Sequence, residues 1–123
     1  MRLEVVCDRI RRNAAALVAL CGEVGIDVVG VTKSCCGHPE IARAMLAGGV
    51  TTLADSRLDN VRRMRRAGID ADVMLLRLPR LSEVSDVVQL TQVSLNSELR
   101  TVHALSEAAQ EQDRVHRVIL MVE

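Results

Sequence analysis

Ile26-Asp27-Val28-Val29-Gly30-Val31-Thr32-Lys33-Ser34-Cys35-Cys36-Gly37-His38-Pro39 is an apolar run that breaks into a small-residue loop and ends on a proline suited to a first helical turn. It reads as strand, turn and helix start. The residue at the break is the only lysine in the chain, the rest of the 16 Lys and Arg residues being arginine. Guanidinium stays protonated, whereas an amine can lose its proton and attack a carbonyl. The carboxyl end of a buried strand, just before a helix, is where parallel α/β folds place their working groups. Lys33 is therefore a candidate imine-forming residue, and the competing reading is a solvated surface lysine.

Outward from this stretch, β-like runs alternate with helical patterns. The spacing predicts strands over Leu3–Cys7, Asp27–Thr32, Thr51–Ala54, Asp72–Leu76, Gln92–Leu95 and Arg117–Val122. It predicts helices over Arg9–Val24, Pro39–Ala47, Arg57–Ala67, Ser82–Leu90 and Glu98–Glu111, with Asp8, Ser56, Ser82 and Ser97 as N-caps and Gly25, Gly48 and Gly68 as left-handed stops. Val73-Met74-Leu75-Leu76 and Val118-Ile119-Leu120-Met121-Val122 are apolar at consecutive positions. Such strands are expected to be covered on both faces, hence parallel. Lys33, Asp55, Arg77, Asn96 and Glu123 stand at successive strand ends, roughly one βα unit apart. The fold class expected is α/β: parallel βα units of a TIM barrel. A closed (β/α)₈ barrel takes about 250 residues, so residues 1–123 read as about its first half. An open doubly wound sheet competes, but no glycine-rich phosphate loop succeeds any strand.

Apolar residues make up 49% of the chain, yet Phe, Tyr and Trp are absent, so the core is aliphatic and no aromatic platform exists for stacking nucleobases. A net charge of zero gives no general attraction to nucleic acid or to a membrane surface. Arg62-Arg63-Met64-Arg65-Arg66 reads as the solvated face of an amphipathic helix rather than a phosphate patch. No membrane span or signal core is evident, which makes a cytoplasmic protein the expectation. Cys7, Cys21, Cys35 and Cys36 show no disulfide framework and are expected to be reduced thiols.

The loop Gly30-Val31-Thr32-Lys33-Ser34-Cys35-Cys36-Gly37-His38-Pro39-Glu40-Ile41-Ala42 resembles the N-terminal part of the alanine racemase family, most of all the branch containing ornithine racemase. Leu53–Asn60, Met74–Pro79, Leu81–Val84, Ser94–Leu99 and Val115–Val122 resemble that branch in the same order, as does Asp8–Asn13. The resemblance implies that residues 1–123 are the N-terminal part of a barrel domain binding pyridoxal 5'-phosphate (PLP), with Lys33 at the end of the first barrel strand forming the Schiff base. It further implies an amino acid as substrate and racemisation as the activity. A non-catalytic PLP-binding module and an inactive half-barrel fragment are the alternatives. The loop departs from the alanine racemases proper at Cys35-Cys36-Gly37-His38, where they carry a tyrosine before the Gly-His pair, and this chain has none.

Cys36 and His38 beside Lys33, with Asp55, Arg77 and Asn96 on the later strand ends, are the remaining candidates for cofactor or substrate contact. Cys35, Cys36 and His38 are zinc-type ligands, but three within four residues do not easily surround one ion, and no metal is expected. Ser56 reads as a helix cap. Arg77 comes after four apolar residues and needs an anionic partner, either a ligand carboxylate or Asp55; in a third role its charge would lower the pKa of Lys33. His103 and His116 read as ordinary helix and pre-strand residues. A half barrel leaves open sheet edges, so self-association or a homo-oligomer is expected.

Overall fold

The computed structural model describes residues 2–122. Glu123, expected as the fifth rim residue, lies outside the described residues. Helix α1 (Cys7–Gly22) leads into strand β1 (Val29–Val31), a single 3₁₀ turn over Lys33–Cys35, and helix α2 (Pro39–Ala47). Next come the units β2 (Thr52–Asp55) with α3 (Leu58–Arg66), β3 (Asp72–Leu75) with α4 (Val84–Leu90), and β4 (Val93–Asn96) with α5 (Leu99–Glu111). Strand β5 (Arg117–Leu120) is the last. The five strands form one sheet in the order β1-β2-β3-β4-β5, every neighbouring pair parallel. Sequential order with all-parallel pairing places every carboxyl end on one rim, the arrangement of barrel-type βα units.

Register sorts the strand residues into two faces. Gly30, Leu53 and Val73 form one cross-strand row, and Asp55, Leu75, Ser94 and Val118 form another on the same face. That face meets the helices. Leu53 and Val73 pack with Ala42 of α2 and Val61 and Met64 of α3, all fully buried. Leu75 packs with Val87 and Val88 of α4 and Leu105, Ala108 and Ala109 of α5. Aliphatic burial of this kind stabilises by about 1.5–3 kcal/mol per large side chain, which lets an aromatic-free sequence hold a core.

Several expectations are corrected. Leu3–Cys7 is not a strand: residues 2–6 take no regular structure, Leu3 is 87% exposed, and α1 begins at Cys7 with Val6 at its N-cap. β-propensity needs a strand to pair with, and β1 pairs only with β2 among the described residues. The apolar strands are not covered on both faces either. Val31 and Ile119, on the face away from the helices, are exposed because helices cover one side only, and Val118 and Leu120, on the helix-facing side, are exposed because no helix follows β5 among the described residues. In a barrel the other face is filled by side chains from strands across the interior, and these five strands do not supply them. None of Asp8, Ser56, Ser82 and Ser97 caps a helix through its side chain; the N-cap positions are Val6, Arg57, Arg80 for a short 3₁₀ turn preceding α4, and Glu98. Gly49, with φ of 97°, makes the left-handed turn after α2. Gly48 is instead a contact point, where a Cβ would lie 2.5 Å from the Arg11 carbonyl oxygen of α1. The arginine-rich stretch of α3 is only partly solvated. Arg65 donates to the carbonyls of Ile69, Ala71 and Leu90, stapling the loops at the amino ends of β3 and β4.

Candidate functional site

Thr32 comes directly after β1, and its buried side chain fixes the geometry of the Lys33 loop. Its hydroxyl donates to Asp55 Oδ2 at 2.7 Å, and its carbonyl accepts from the backbone N–H of Cys35 and Gly37, both at 3.1 Å. Cys35 Sγ donates to the same carbonyl at 3.2 Å. The chain therefore turns immediately after Thr32, raising Lys33 onto the rim. Lys33 is exposed. Every ion pair among the described residues is made by an arginine, so no described carboxylate ties down the Lys33 ammonium.

Asp55 is the hub beneath this turn. It has no accessible surface, and its carboxylate accepts from Thr32 Oγ1, from the Arg57 backbone N–H at 2.9 Å, and from Asn60 Nδ2 at 3.0 and 3.2 Å. One buried carboxylate thus joins the end of β1, the β2–α3 turn and the first turn of α3. Its position in the row with Leu75 and Ser94 puts it on the helix-facing side.

The loop is held from the side as well. Arg63 of α3 donates to the Cys36 carbonyl at 3.0 Å. Cys36 and Gly37 both take left-handed backbone, with φ of 54° and 62°. A Cβ on Gly37 would lie 2.8 Å from the Asn60 backbone oxygen, so only glycine fits against α3 there. Cys36 is exposed, and His38, at the N-cap position of α2, is exposed too. Lys33, Cys36 and His38 therefore share one clamped loop. Among the described residues no group of three or more His, Cys, Asp or Glu side chains is placed to hold a metal ion.

Arg77 does not pair with Asp55. It donates to the Ser56 carbonyl at 2.8 Å and forms an ion pair with Glu83, which also accepts from the Arg80 backbone N–H at 2.9 Å. The hydrogen bond from Arg77 holds the Glu83 carboxyl below the usual carboxylate range, against the opposing effect of partial burial. Arg77 thus ties the β2 and β3 loops together.

Asn96 belongs to a separate polar group on the helix-facing side. Its Nδ2 donates to the Ser94 carbonyl and to Ser94 Oγ, both at 3.0 Å, while Ser94 Oγ lies 2.9 Å from His116 Nε2. His116 Nδ1 lies 3.3 Å from the Thr91 carbonyl, which fixes it as the donor and leaves Nε2 to accept from the Ser94 hydroxyl. Burial pushes the His116 pKa down from 6.5, outweighing the Thr91 hydrogen bond, with Arg117 adding to the lowering. Sequence reading passes over Thr32, Asn60 and the Ser94–His116 pair. The alternation of Ser94 and Asn96 with Val93 and Leu95 is the available sign of a polar row on one face.

A parallel sheet in sequential order, helices on one face, and a lone lysine on the carboxyl rim after its first strand define a lysine-bearing (β/α)-barrel protein. The family model for the alanine racemase N-terminal domain matches residues 5–123, and the chain belongs to this family. It is 36% identical to ornithine racemase of Acetoanaerobium sticklandii and 34% identical to lysine racemase of Thermotoga maritima, each over 122 residues. Both alignments cover 99% of this chain and 34% of the relative, so the chain spans about a third of their length. In fold it matches alanine racemase from Streptomyces coelicolor A3(2), with a TM-score of 0.79 at 20% identity over 95% of this chain and 32% of that one. It also matches PipY of Synechococcus elongatus PCC7942, in a structure described as without PLP, with a TM-score of 0.76 at 18% identity over 89% of this chain and 53% of that one. No helix among the described residues is long and apolar enough to cross a membrane.

Proposed function

We propose that this chain is the part of a PLP-dependent amino-acid racemase that carries the cofactor, with Lys33 as the attachment residue. The observation that carries the reading is the placement of the single lysine. It is exposed on the strand-end rim, free of described ion pairs, on a loop clamped by Asp55, Asn60 and Arg63. The donor chemistry fits the aldehyde end of PLP, since a primary amine is the group that condenses with it. The row Val31, Ala54 and Met74 offers an apolar floor on the face away from the helices.

PLP bound there supplies an electron sink for the charge left when an amino acid loses its α-proton. Lys33 Nζ is the attachment atom and, once free, the base that takes or returns a proton on its own side. Thr32 and Asp55 orient Lys33 from behind, and the left-handed Cys36-Gly37 pair turns the loop away so that the amine stays accessible. Cys36 and His38 stand on the same loop as candidates for contact with cofactor or substrate, while Asp55 and Arg77 support the rim from within. The names of the two curated relatives support an amino acid as the substrate.

Incubation of the chain with PLP, borohydride reduction and peptide mapping tests the assignment. A pyridoxyl group on Lys33, absent in Lys33→Arg, is the expected result. A folded chain with no adduct, or with adducts only elsewhere, refutes it.

A further inference from the structure

We infer that two copies of this chain pair head to tail, the β1 edge of each against the β5 edge of the other, with α1 of one copy filling the groove beside β5 of its partner. The sheet has two open edges, since β1 and β5 each bond to a single neighbour among the described residues. The edges are unlike. On the β1 side stands α1, packed against α2, where Gly48 meets the Arg11 carbonyl and Ala14, and Gly49 meets Val18. On the β5 side no described helix follows, and a groove of about 350 Å³ lies between α5 and β5, lined by Val102, Leu105, Ala109, Arg114, Val115 and Val118 among others.

The helix carries what the groove lacks. Leu17 and Leu20 lie roughly 100° round α1 from Ala14 and Val18, the residues that meet α2. With Val24 just beyond the helix end they form an apolar stripe, 52%, 63% and 72% exposed. In barrel-type units the helices form a layer outside the parallel strands. Pairing β5 with β1 of a second copy continues that strand order and sets the second copy's α1 over the new seam, its stripe against Val115 and Val118. Charge agrees with this alignment. Glu23 and Asp27 precede β1, Arg114 precedes β5, and none of the three is in an ion pair among the described residues. Parallel pairing brings the amino ends of the two strands together, so the two carboxylates meet the arginine. Contact between like edges does neither: two β5 edges join two grooves with no helix for either, and two α1 stripes leave both grooves empty.

Each copy has one edge of each kind, so two copies can close on themselves with two identical junctions. At their fractional exposures the apolar side chains of both junctions cover on the order of 1,500 Å², within the ~1,200–2,000 Å² of a stable protein interface. The pairing keeps all strand ends on one rim. It brings the Lys33 loop of each copy beside the β5 end of its partner, at the exposed Met121 and Val122, so the partner walls one side of the Lys33 site. The contact rests on edges and charges and stands apart from the racemase reading.

Sedimentation equilibrium of the 123-residue chain tests it with two variants at exposed positions, Leu20→Glu on α1 and Val118→Glu in the groove. The parent is expected at the mass of two chains, dissociating on dilution. Each variant alone should weaken the dimer at least tenfold, because both of its junctions are then damaged. An equimolar mixture of the two should recover association, since the Leu20→Glu copy offers an intact groove to the intact α1 of the Val118→Glu copy. Circular dichroism checks that both variants keep the parent's helix content, and Val115→Glu, at a more exposed groove position, replaces Val118→Glu if that chain unfolds. A parent that stays a single chain at NMR concentrations overturns the proposal. So does a dimer that survives in either single variant, a mixture that does not recover, or growth beyond two copies.

Discussion

Replacing Asp55 by alanine should be among the most costly single changes in the chain, and its cost can be worked from the hydrogen bonds. The carboxylate has no accessible surface and accepts from Thr32 Oγ1, the Arg57 N–H and Asn60 Nδ2. Deleting it leaves these donors without their partner around a void too small to solvate them well. Each orphaned buried donor costs about 1–3 kcal/mol; with partial relaxation the expected loss is about 3–5 kcal/mol, as for one half of a buried charged interaction. Domain stabilities run at about 5–15 kcal/mol, so Asp55→Ala should lower the urea midpoint sharply and Tm by roughly 10–20 °C. Thr32→Val removes one donor while leaving the carboxylate its other two, so about 1–2 kcal/mol is expected. The double variant should cost less than the sum, with a coupling of at least about 1 kcal/mol. The same variants should lose the Lys33 pyridoxyl adduct more than they lose helix content at a temperature where they stay folded, because the Lys33 turn hangs on this pair. Urea unfolding at neutral pH with adduct mapping decides it. An Asp55→Ala chain within about 0.5 kcal/mol of the parent, or additive costs in the double variant, would show that Asp55 is not the hub.

Other outcomes rest on single features. His116 has a folded pKa pushed below 6.5, so the unfolded chain binds its proton first. Stability is full above about pH 6.5 and falls as pH drops from there toward the folded pKa; His116→Phe should flatten this slope in unfolding measured between about pH 7.5 and pH 5. Glu83 is likewise held below the carboxylate range by Arg77; the stability it contributes is present above the unfolded carboxylate pKa and is lost as pH falls through the folded one. Arg77→Gln should remove that acid-side slope. Gly37→Ala places a Cβ against Asn60 in left-handed backbone and should cost about 2 kcal/mol or more in urea unfolding. The exposed β5 edge, with Ile119 at 42% and Leu120 at 65% exposure, should drive self-association visible by light scattering, and Ile119→Lys should reduce it.

The order of elements is legible in the sequence because apolar runs and their breaks report the sheet directly. Helix α2 begins and ends at Pro39 and Ala47 as the pattern predicts, and each strand from β1 onward lies within about two residues of its predicted bounds. The Lys33 loop is legible for a chemical reason, one amine among arginines. Leu3–Cys7 fails because composition alone cannot tell a strand from an unpaired apolar segment. The caps fail because local preference favours Asp8, Ser56, Ser82 and Ser97, while tertiary partners decide the outcome: Asp8 pairs with Arg11 and Arg12, and the Arg57 N–H is met by Asp55. The Arg77 partner is hidden because Glu83 approaches through the turn before α4, a proximity that no periodicity encodes.

What the sequence could not show is which face of the sheet each polar rim residue takes, and that division explains how the rim is built. A two-residue period along each strand sends Asp55, Ser94 and Asn96 toward the helices and Ala54, Met74 and Leu95 toward the other face. Polar groups on the helix side are dry and pair with their own chain, as Thr32, Asp55, Asn60 and Ser94 do. They stiffen the strand ends, while the Lys33 side chain stays exposed on the rim. Asn96 is the exception, since half of its amide is satisfied by Ser94 and half is not.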